Sequence, residues 1–370
     1  LFLMLYVGID EAGYGPLLGP LCVGCCVLRL EGWKEGDASP DVWKMLKAAV
    51  VKGVPKGLSG SKIAVEDSKK LKGSNSLKTR HPLMHLERGV LAFAGCAAGV
   101  GGSGAGGENG AEIGSDAALF ERLGVRLDEP WWYGGDATPL PLSTTADHLR
   151  LMRVQLEAAC AASGVRVMEL RAHAMSETVF NARLLEARQT ADEAIVDAVP
   201  EARSGGQRSK AAVSFGVVAG FMRRVWKSAS CVVGSGADAV VPRVVVDRQG
   251  GRAAYGGVLN RAFPDAIVTT IGESATNSSY ELRGIGEAEG RAMRVRFQTE
   301  AEASHFPVAL ASMTAKLVRE LAMARFNRAW CERIAELKPT AGYALDGERW
   351  LNDVRPHVTV QEIAALRRMA

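Results

Sequence analysis

Val7-Gly8-Ile9-Asp10-Glu11-Ala12-Gly13-Tyr14-Gly15-Pro16, followed by Leu17-Leu18-Gly19-Pro20, decides how the rest of this chain is read. Leu1 to Ile9 is a short apolar run with the character of a buried central strand. It delivers two adjacent carboxylates, Asp10 and Glu11, into a glycine-rich turn. Two anions at the end of a buried strand repel each other and lose solvation, so they need a cation, a shared proton or exposure to solvent. A divalent metal is the favoured compensation, because hard carboxylate oxygens suit Mg²⁺ or Mn²⁺ and no comparable arginine adjoins the pair. The plainer alternative is a solvated strand end with two surface acids. Gly13, Gly15 and Gly19 allow sharp turns and the close approach of a ligand such as a phosphate ester. On a regular strand Asp10 and Glu11 point to opposite faces. Both serve one site only if the chain turns between them or one acts through its backbone.

A chain of 370 residues, 47% hydrophobic and 23% charged, can bury a large core. No apolar run approaches the roughly 20 residues that cross a bilayer. The opening run is too short for a signal peptide and has no basic start, so a cytoplasmic protein with no membrane partner is expected. The seven cysteines show no disulfide framework. Cys22 and Cys25 have a Cys-x-x-Cys spacing, but they fall in a strand-like run where small buried side chains are the better reading. A net charge of +4 permits a nucleic-acid partner without demanding one. The local clusters Lys69, Lys70 and Lys72, then Arg203, Arg208 and Lys210, then Arg223, Arg224 and Lys227 fit phosphate contacts or solvated faces equally.

The opening run resembles the first signature of the type II ribonucleases H, a strand ending in Gly-x-Asp-Glu-Ala-Gly-Arg-Gly-Pro, with Tyr14 in place of the arginine. Other segments resemble that family's in the same order. Asp67-Ser68-Lys69-Lys70-Leu71 matches the second signature, and Ser68, Lys69 and Lys70 offer a hydroxyl and two ammonium groups for phosphate contacts. Asn181, early in a helix read over Ser176 to Val199, stands where the family has an asparagine that would hold a phosphate or ribose hydroxyl; helix capping is the alternative. Val241 to Val246 is a buried strand closed by Asp247, similar to the family's Val-Asp-Gly. Ala309-Leu310-Ala311-Ser312-Met313-Thr314-Ala315-Lys316 resembles the core helix, within a helix read over Phe306 to Trp330. Ten residues before Ser312 stands Glu302, in place of the family's fourth metal-site aspartate, with Glu300 as the fallback. Lys316 and Glu320 lie one turn apart and are expected to pair. Ala341-Gly342-Tyr343 resembles the start of Gly-Tyr-x-Thr-x-x-His, whose tyrosine reads the sugar at the RNA–DNA junction; Leu345 and Glu348 replace the threonine and histidine.

The resemblance implies an α/β, ribonuclease H-like fold: one domain over 1–370 with a mixed central sheet flanked by helices. Two insertions are expected, at 72–143 and, smaller, at 267–290. The first carries a helical piece over Leu86 to Val100, a flexible glycine run at 101–107, and Trp131, Trp132 and Tyr133, which either pin it to the core or form a stacking platform for bases. Strands are expected at Leu21 to Leu30, hairpin-paired with the first, at Val165 to Leu170 and at Met293 to Phe297. Helices are expected around Val42 to Val50 and over Thr145 to Ser163.

The implied activity is hydrolysis of the RNA strand of RNA/DNA hybrids or of ribonucleotide-containing duplexes. Two Mg²⁺ or Mn²⁺ ions would be held by Asp10, Glu11, Asp247 and Glu302, one activating water and one stabilising the leaving 3′ oxygen. Gly13, Tyr14, Gly15, Ser68, Lys69, Lys70, Asn181 and Tyr343 would contact the nucleic acid. Tyr14 lacks a guanidinium fork, which weakens the case for recognising a single embedded ribonucleotide. Two other classes compete. A non-catalytic nucleic-acid-binding protein on the same fold is motivated by the insertions, the glutamate at 302 and the missing histidine. A small-molecule nucleotide hydrolase lacks any Gly-Lys-Ser/Thr phosphate loop and ranks last.

Overall fold

Leu3–Ala12 forms strand β1, enclosed from Met4 to Asp10, and the main sheet is built outward from it. The computed structural model describes residues 3–33, 36–54, 61–74, 80–97, 112–127, 129–194, 205–228, 231, 241–248 and 252–369. β1 pairs antiparallel with β2 (Leu21–Glu31), as the hairpin expectation required, and parallel with β6 (Arg243–Asp247). β3 (Val50–Lys52) and β4 (Ile63–Val65) make a separate parallel pair. Adding β5 (Val165–Met175), β7 (Ala266–Glu273), β8 (Asn277–Gly284) and β9 (Ala292–Gln298) gives, among the described residues, a seven-stranded sheet in the order β5-β2-β1-β6-β9-β8-β7. β1, β6 and β9 are mutually parallel, so their carboxyl ends lie side by side.

Helices cover both faces, which is the α/β arrangement of a mixed sheet flanked by helices. The helices are α1 (Val42–Met45), α2 (Ser68–Leu71), α3 (Met84–Cys96), α4 (Asp116–Leu123), α5 (Ala146–Ser163), α6 (Glu177–Ala194), α7 (Gly205–Trp226), α8 (Gly256–Ala262), α9 (Phe306–Arg333), α10 (Ala344–Val354) and α11 (Val360–Leu366). One face of β1 and β2, carrying Met4, Tyr6, Cys22 and Cys26, packs against α9, with α3 in the same core. The other face, carrying Val7, Ile9, Val23 and Cys25, packs against α7 and α8. α9 lies directly on the strand backbones. A Cβ at Gly8 would fall 2.1 Å from the Pro307 carbonyl carbon, and one at Gly24 would fall 2.1 Å from the Ala311 oxygen.

Several expectations need correction. The 267–290 segment is not an excursion from the sheet: with Ala266 it supplies β7 and β8, a hairpin that extends the sheet beyond β9. Within 72–143, the helical piece read over Leu86 to Val100 runs over Met84–Cys96 as α3 and is buried in the main core. Trp132 and Tyr133 are buried against Phe326, while Trp131 is exposed beside Trp330, so the trio serves mainly as an anchor. The helix expected over Val42 to Val50 stops at Met45, and Val50 opens β3. α4 was not expected; Ser115 caps its start, Gly124 ends it in the left-handed conformation, and Arg325 grips Asp116 through two hydrogen bonds of 2.7 Å. α5 runs as read, capped by Thr145 and closed by Gly164. The glycine run at 101–107, and the end of the helix read to Val199, lie outside the described residues.

Two outcomes follow. Gly8→Ala and Gly24→Ala should each lower stability in urea unfolding by about 1–3 kcal/mol or more, because backbone cannot yield as a flexible side chain does; wild-type midpoints in both would contradict the backbone contact. Removing the buried partner with Arg325→Met should cost about 3 kcal/mol. Burial pushes the Asp116 carboxyl up, but the Arg325 hydrogen bonds outweigh it and leave it below its ordinary range. The pair's contribution is therefore full at neutral pH and fades as pH falls below about 4. A wild-type acid unfolding curve in the variant would rule this out.

Candidate functional site

The parallel ends of β1, β6 and β9 place three of the expected acids. Asp10 is near the end of β1, Asp247 closes β6, and Glu302 lies on the single helical turn Ala301–Ala303 between β9 and α9. Alternation along β1 puts Asp10 on the same face as Met4, Tyr6 and Gly8, the face α9 covers, and Asp247 shares that face with Val245. Asp10 and Glu302 are buried and Asp247 is half-buried. Burial, then repulsion from Asp247 and Glu11, raises the Asp10 carboxyl well above the usual range, against a hydrogen bond with Ser312. Burial also raises Asp247, opposed by hydrogen bonds from the Ala301 amide at 3.0 Å, the Glu302 carboxyl and the Arg248 amide. Glu302 is pushed up to about 7 by burial and then by Asp247, and its Oε2 is buried without a hydrogen-bond partner.

This donor set fits a hard divalent cation in its chemistry: all oxygen, mutually repelling, with one buried oxygen left over. Asp10, Asp247 and Glu302 are the residues that would hold it. Among the described residues no three such side chains already stand at the spacing of a finished metal cage. Glu300, the alternative to Glu302, is exposed in the left-handed conformation. Glu11 is not brought together with the three. β1 stays in register with β2 through Ala12, so no turn separates Asp10 from Glu11, and Glu11 faces the other side of the sheet. On that side lies the Tyr14 hydroxyl, raised by burial and then by Glu11, with Arg252 opposing.

The Asp-Ser-Lys-Lys-Leu segment forms one helical turn, α2, rather than an open loop. Asp67 caps it by accepting from the Lys69 amide at 2.9 Å. Buried Ser68 accepts a hydrogen bond from Ser312 Oγ at 3.0 Å, so Asp10, Ser312 and the lysine turn are linked. Lys69 is a cation whose field opposes the rise of both Asp247 and Glu302. Lys70 turns away to Glu66 at 2.9 Å.

The glycine loop from Gly13 to Pro20 is gripped from below. Gly13 has φ +85°, and a Cβ there would press on the Arg319 side chain at 2.8 Å. Buried Arg319 donates to the carbonyls of Pro20 at 2.7 Å and Leu18 at 3.1 Å. Arg368, near the carboxyl end, donates to the carbonyls of Gly13 at 2.6 Å and Pro16 at 3.1 Å. Glu177 accepts from the Gly19 amide and the Tyr133 hydroxyl, each at 2.8 Å. The Gly342 carbonyl accepts from the Leu17 and Leu18 amides, which docks Tyr343 beside the loop. Its half-exposed ring has Lys316 Nζ and Arg319 Cζ each 5.9 Å from the centroid. Gly15 is exposed to open space, while Tyr14 packs beside Phe180 and Leu184.

Asn181 has a different task from either one read in the sequence. Its side chain donates to the Arg367 carbonyl at 2.9 Å and accepts from the Met369 amide at 2.8 Å, fixing the tail that carries Arg368. Lys316 and Glu320 pair at 2.8 Å, as expected. The sequence reading missed Ser312 as a partner of Asp10, and Arg319, Arg368 and Glu177 as supports of the loop. Arg319 had a detectable signal, an arginine three residues after Lys316 within the apolar stretch from Phe306 to Met323; Arg368 and Glu177 had none.

No protein-family model and no curated protein matches the chain. Two solved structures are similar to it over nearly their whole length. The RNase HII of Archaeoglobus fulgidus, from a complex with PCNA, covers 99% of this chain and is itself covered over 94%, with 13% identity and a TM-score of 0.38. The ribonuclease H2 of Pyrococcus horikoshii OT3 covers 99% and is covered over 92%, with 12% identity and a TM-score of 0.34.

Proposed function

We propose that the chain is a divalent-metal-dependent nuclease of the ribonuclease H kind, acting on the RNA strand of RNA/DNA hybrids or on ribonucleotide-containing duplexes. What supports this most is the meeting of Asp10, Asp247 and Glu302 on one face at the parallel strand ends, each carboxyl raised by burial. Mg²⁺ or Mn²⁺, when bound, would neutralise these acids and supply the Lewis acidity that phosphodiester hydrolysis needs, as one ion or the pair that the sequence resemblance implies. The chain's own groups do the rest. Lys69 stands beside the acids, where it can meet a phosphate. The open backbone at Gly15 lets a sugar-phosphate come close. The Tyr343 ring offers a flat surface for a sugar or base. Arg319, Arg368 and Glu177 hold the loop that presents Gly13 to Gly15.

A second reading, a nucleic-acid-binding protein without catalysis on the same scaffold, is favoured by Glu302 standing where the family that the signatures resemble has an aspartate.

Asp10→Asn and Asp247→Asn should each reduce Mg²⁺- or Mn²⁺-dependent cleavage of an RNA/DNA hybrid to background in a folded protein, while Glu11→Gln keeps more activity than either. Undiminished turnover would remove both aspartates from the mechanism; tight hybrid binding by the unaltered chain with no metal-stimulated cleavage would decide for the second reading. A hybrid compared with a duplex holding one ribonucleotide tests Tyr14: the hybrid should be favoured, and a strong preference for the single ribonucleotide would show that tyrosine serves as well as arginine. Folding raises the Glu302 pKa, so the metal-free protein should lose stability as pH climbs from about 4.3 toward about 7. Mn²⁺ at pH about 8 should raise the melting temperature again; identical melting with and without Mn²⁺ would count against the cation site.

A further inference from the structure

Beyond β6 the face of the sheet that carries Asp247 continues without a helix over it among the described residues. α9 packs on β1, β2 and β5, whereas α7 and α8 close the opposite face around Tyr280, Met293, Val295 and Phe297. The alternation that buries those residues turns Arg294 and Arg296 of β9, with Arg243 of β6, toward the open side. A groove of about 470 Å³ runs between this surface and residues Gly36 to Ser39, lined by the three arginines with Tyr6 below and Ile271 at the flank. Ile267 and Ile271 of the edge strand are 59% exposed on the same side, so this part of the sheet is accessible.

The placement of the charges is what demands an occupant. Arg243 and Arg294 are direct cross-strand neighbours, and like charges so placed weaken a sheet. Glu281 answers Arg294 at 3.2 Å, and Arg243 donates to the Asp37 carbonyl at 3.0 Å. The exposed Arg296 donates to Ser279 Oγ at 3.4 Å, a long and weak hydrogen bond that leaves most of its guanidinium facing the groove. In register, Asp247 lies opposite Gln298, Val245 opposite Arg296, and Arg243 opposite Arg294. Arg296 is therefore two residues, about 7 Å, from the level of the acids, and Arg294 and Arg243 are about 13 Å away. The cations form a row leading from the candidate site along the sheet.

We infer that this arginine row is a second nucleic-acid contact, taking backbone phosphates of a strand that extends past the candidate site. The inference rests on the reading that the chain acts on nucleic acid. Guanidinium groups spaced along a strand meet successive anionic groups as planar, two-pronged donors, and the row is opposite in charge to the polymer it would track. An acidic protein segment, or a second copy of this chain laid on β7, is the competing occupant.

The test is equilibrium binding of a long RNA/DNA hybrid by the full chain, without divalent metal, over a salt series. Arg243→Gln with Arg296→Gln should weaken binding and lower the slope of log affinity against log salt by nearly 2, at about 0.9 for each phosphate no longer held. Lysine at both positions should restore most of the slope. A hybrid too short to reach the row should be cleaved with metal at the wild-type kcat. Parallel salt plots for the glutamine variant and wild type would overturn the inference, as would a change in self-association with no change in slope. If wild type cleaves while the plots stay parallel, the groove fails alone. If the slope falls but wild type cleaves nothing, the groove stands and the nuclease reading falls.

Discussion

The structure depends on one close approach, the seating of a 28-residue helix directly on the backbones of β1 and β2 at Gly8 and Gly24. Any side chain at those positions would lift α9 from the sheet. With the helix down, Ser312 reaches both Asp10 and Ser68, and Arg319, two turns on, reaches beneath the glycine loop. The same helix thus aligns the acids, the lysine turn and the loop. Packing and chemistry are set by the same contact, because interiors are too dense to absorb a displaced helix without moving what it carries.

Two buried charge systems then sit side by side, one of mixed sign and one of acids alone. Under the loop, Arg319 and Arg368 donate to loop carbonyls and Glu177 accepts from the Gly19 amide and the Tyr133 hydroxyl, which offsets part of the cost of burying these charges; Glu177 Oε2 and Arg368 Nη1 have no hydrogen-bond partner. That system makes the loop rigid. At the strand ends Asp10, Asp247 and Glu302 are all acids that repel one another, with no arginine or lysine paired to them among the described residues, and Glu302 Oε2 has no hydrogen-bond partner. Acids raised by burial beside a loop held by buried charges make the cluster where a functional site is sought.

Much of this was legible in the sequence. β1, β2 and β6 are compact apolar runs, β9 alternates apolar residues with arginines, and α9 has a helical pattern, so their burial is written locally. Parallel neighbours bring strand ends together, which is why Asp10 and Asp247 could be paired from residues far apart. The opposite facing of Glu11 was equally readable from strand alternation. The β7–β8 hairpin was not, since β7 buries only Ala266 fully and a register shift after Thr270 breaks its alternation. Contacts that span the chain, such as Arg325 with Asp116 or Asn181 with Met369, leave no local pattern at all. The glycines at 8 and 24 are conspicuous only once the helix above them is known.

The most direct measurement is calorimetric titration of the full chain with Mn²⁺, free of nucleic acid, alongside single replacements of the acids. Saturable Mn²⁺ binding is expected, weakened by about tenfold or more in each of Asp10→Asn, Asp247→Asn and Glu302→Gln, with Glu11→Gln changing it least. Mn²⁺ binding that is absent in wild type, or unchanged by all three replacements, would contradict the convergence of these acids on one ion.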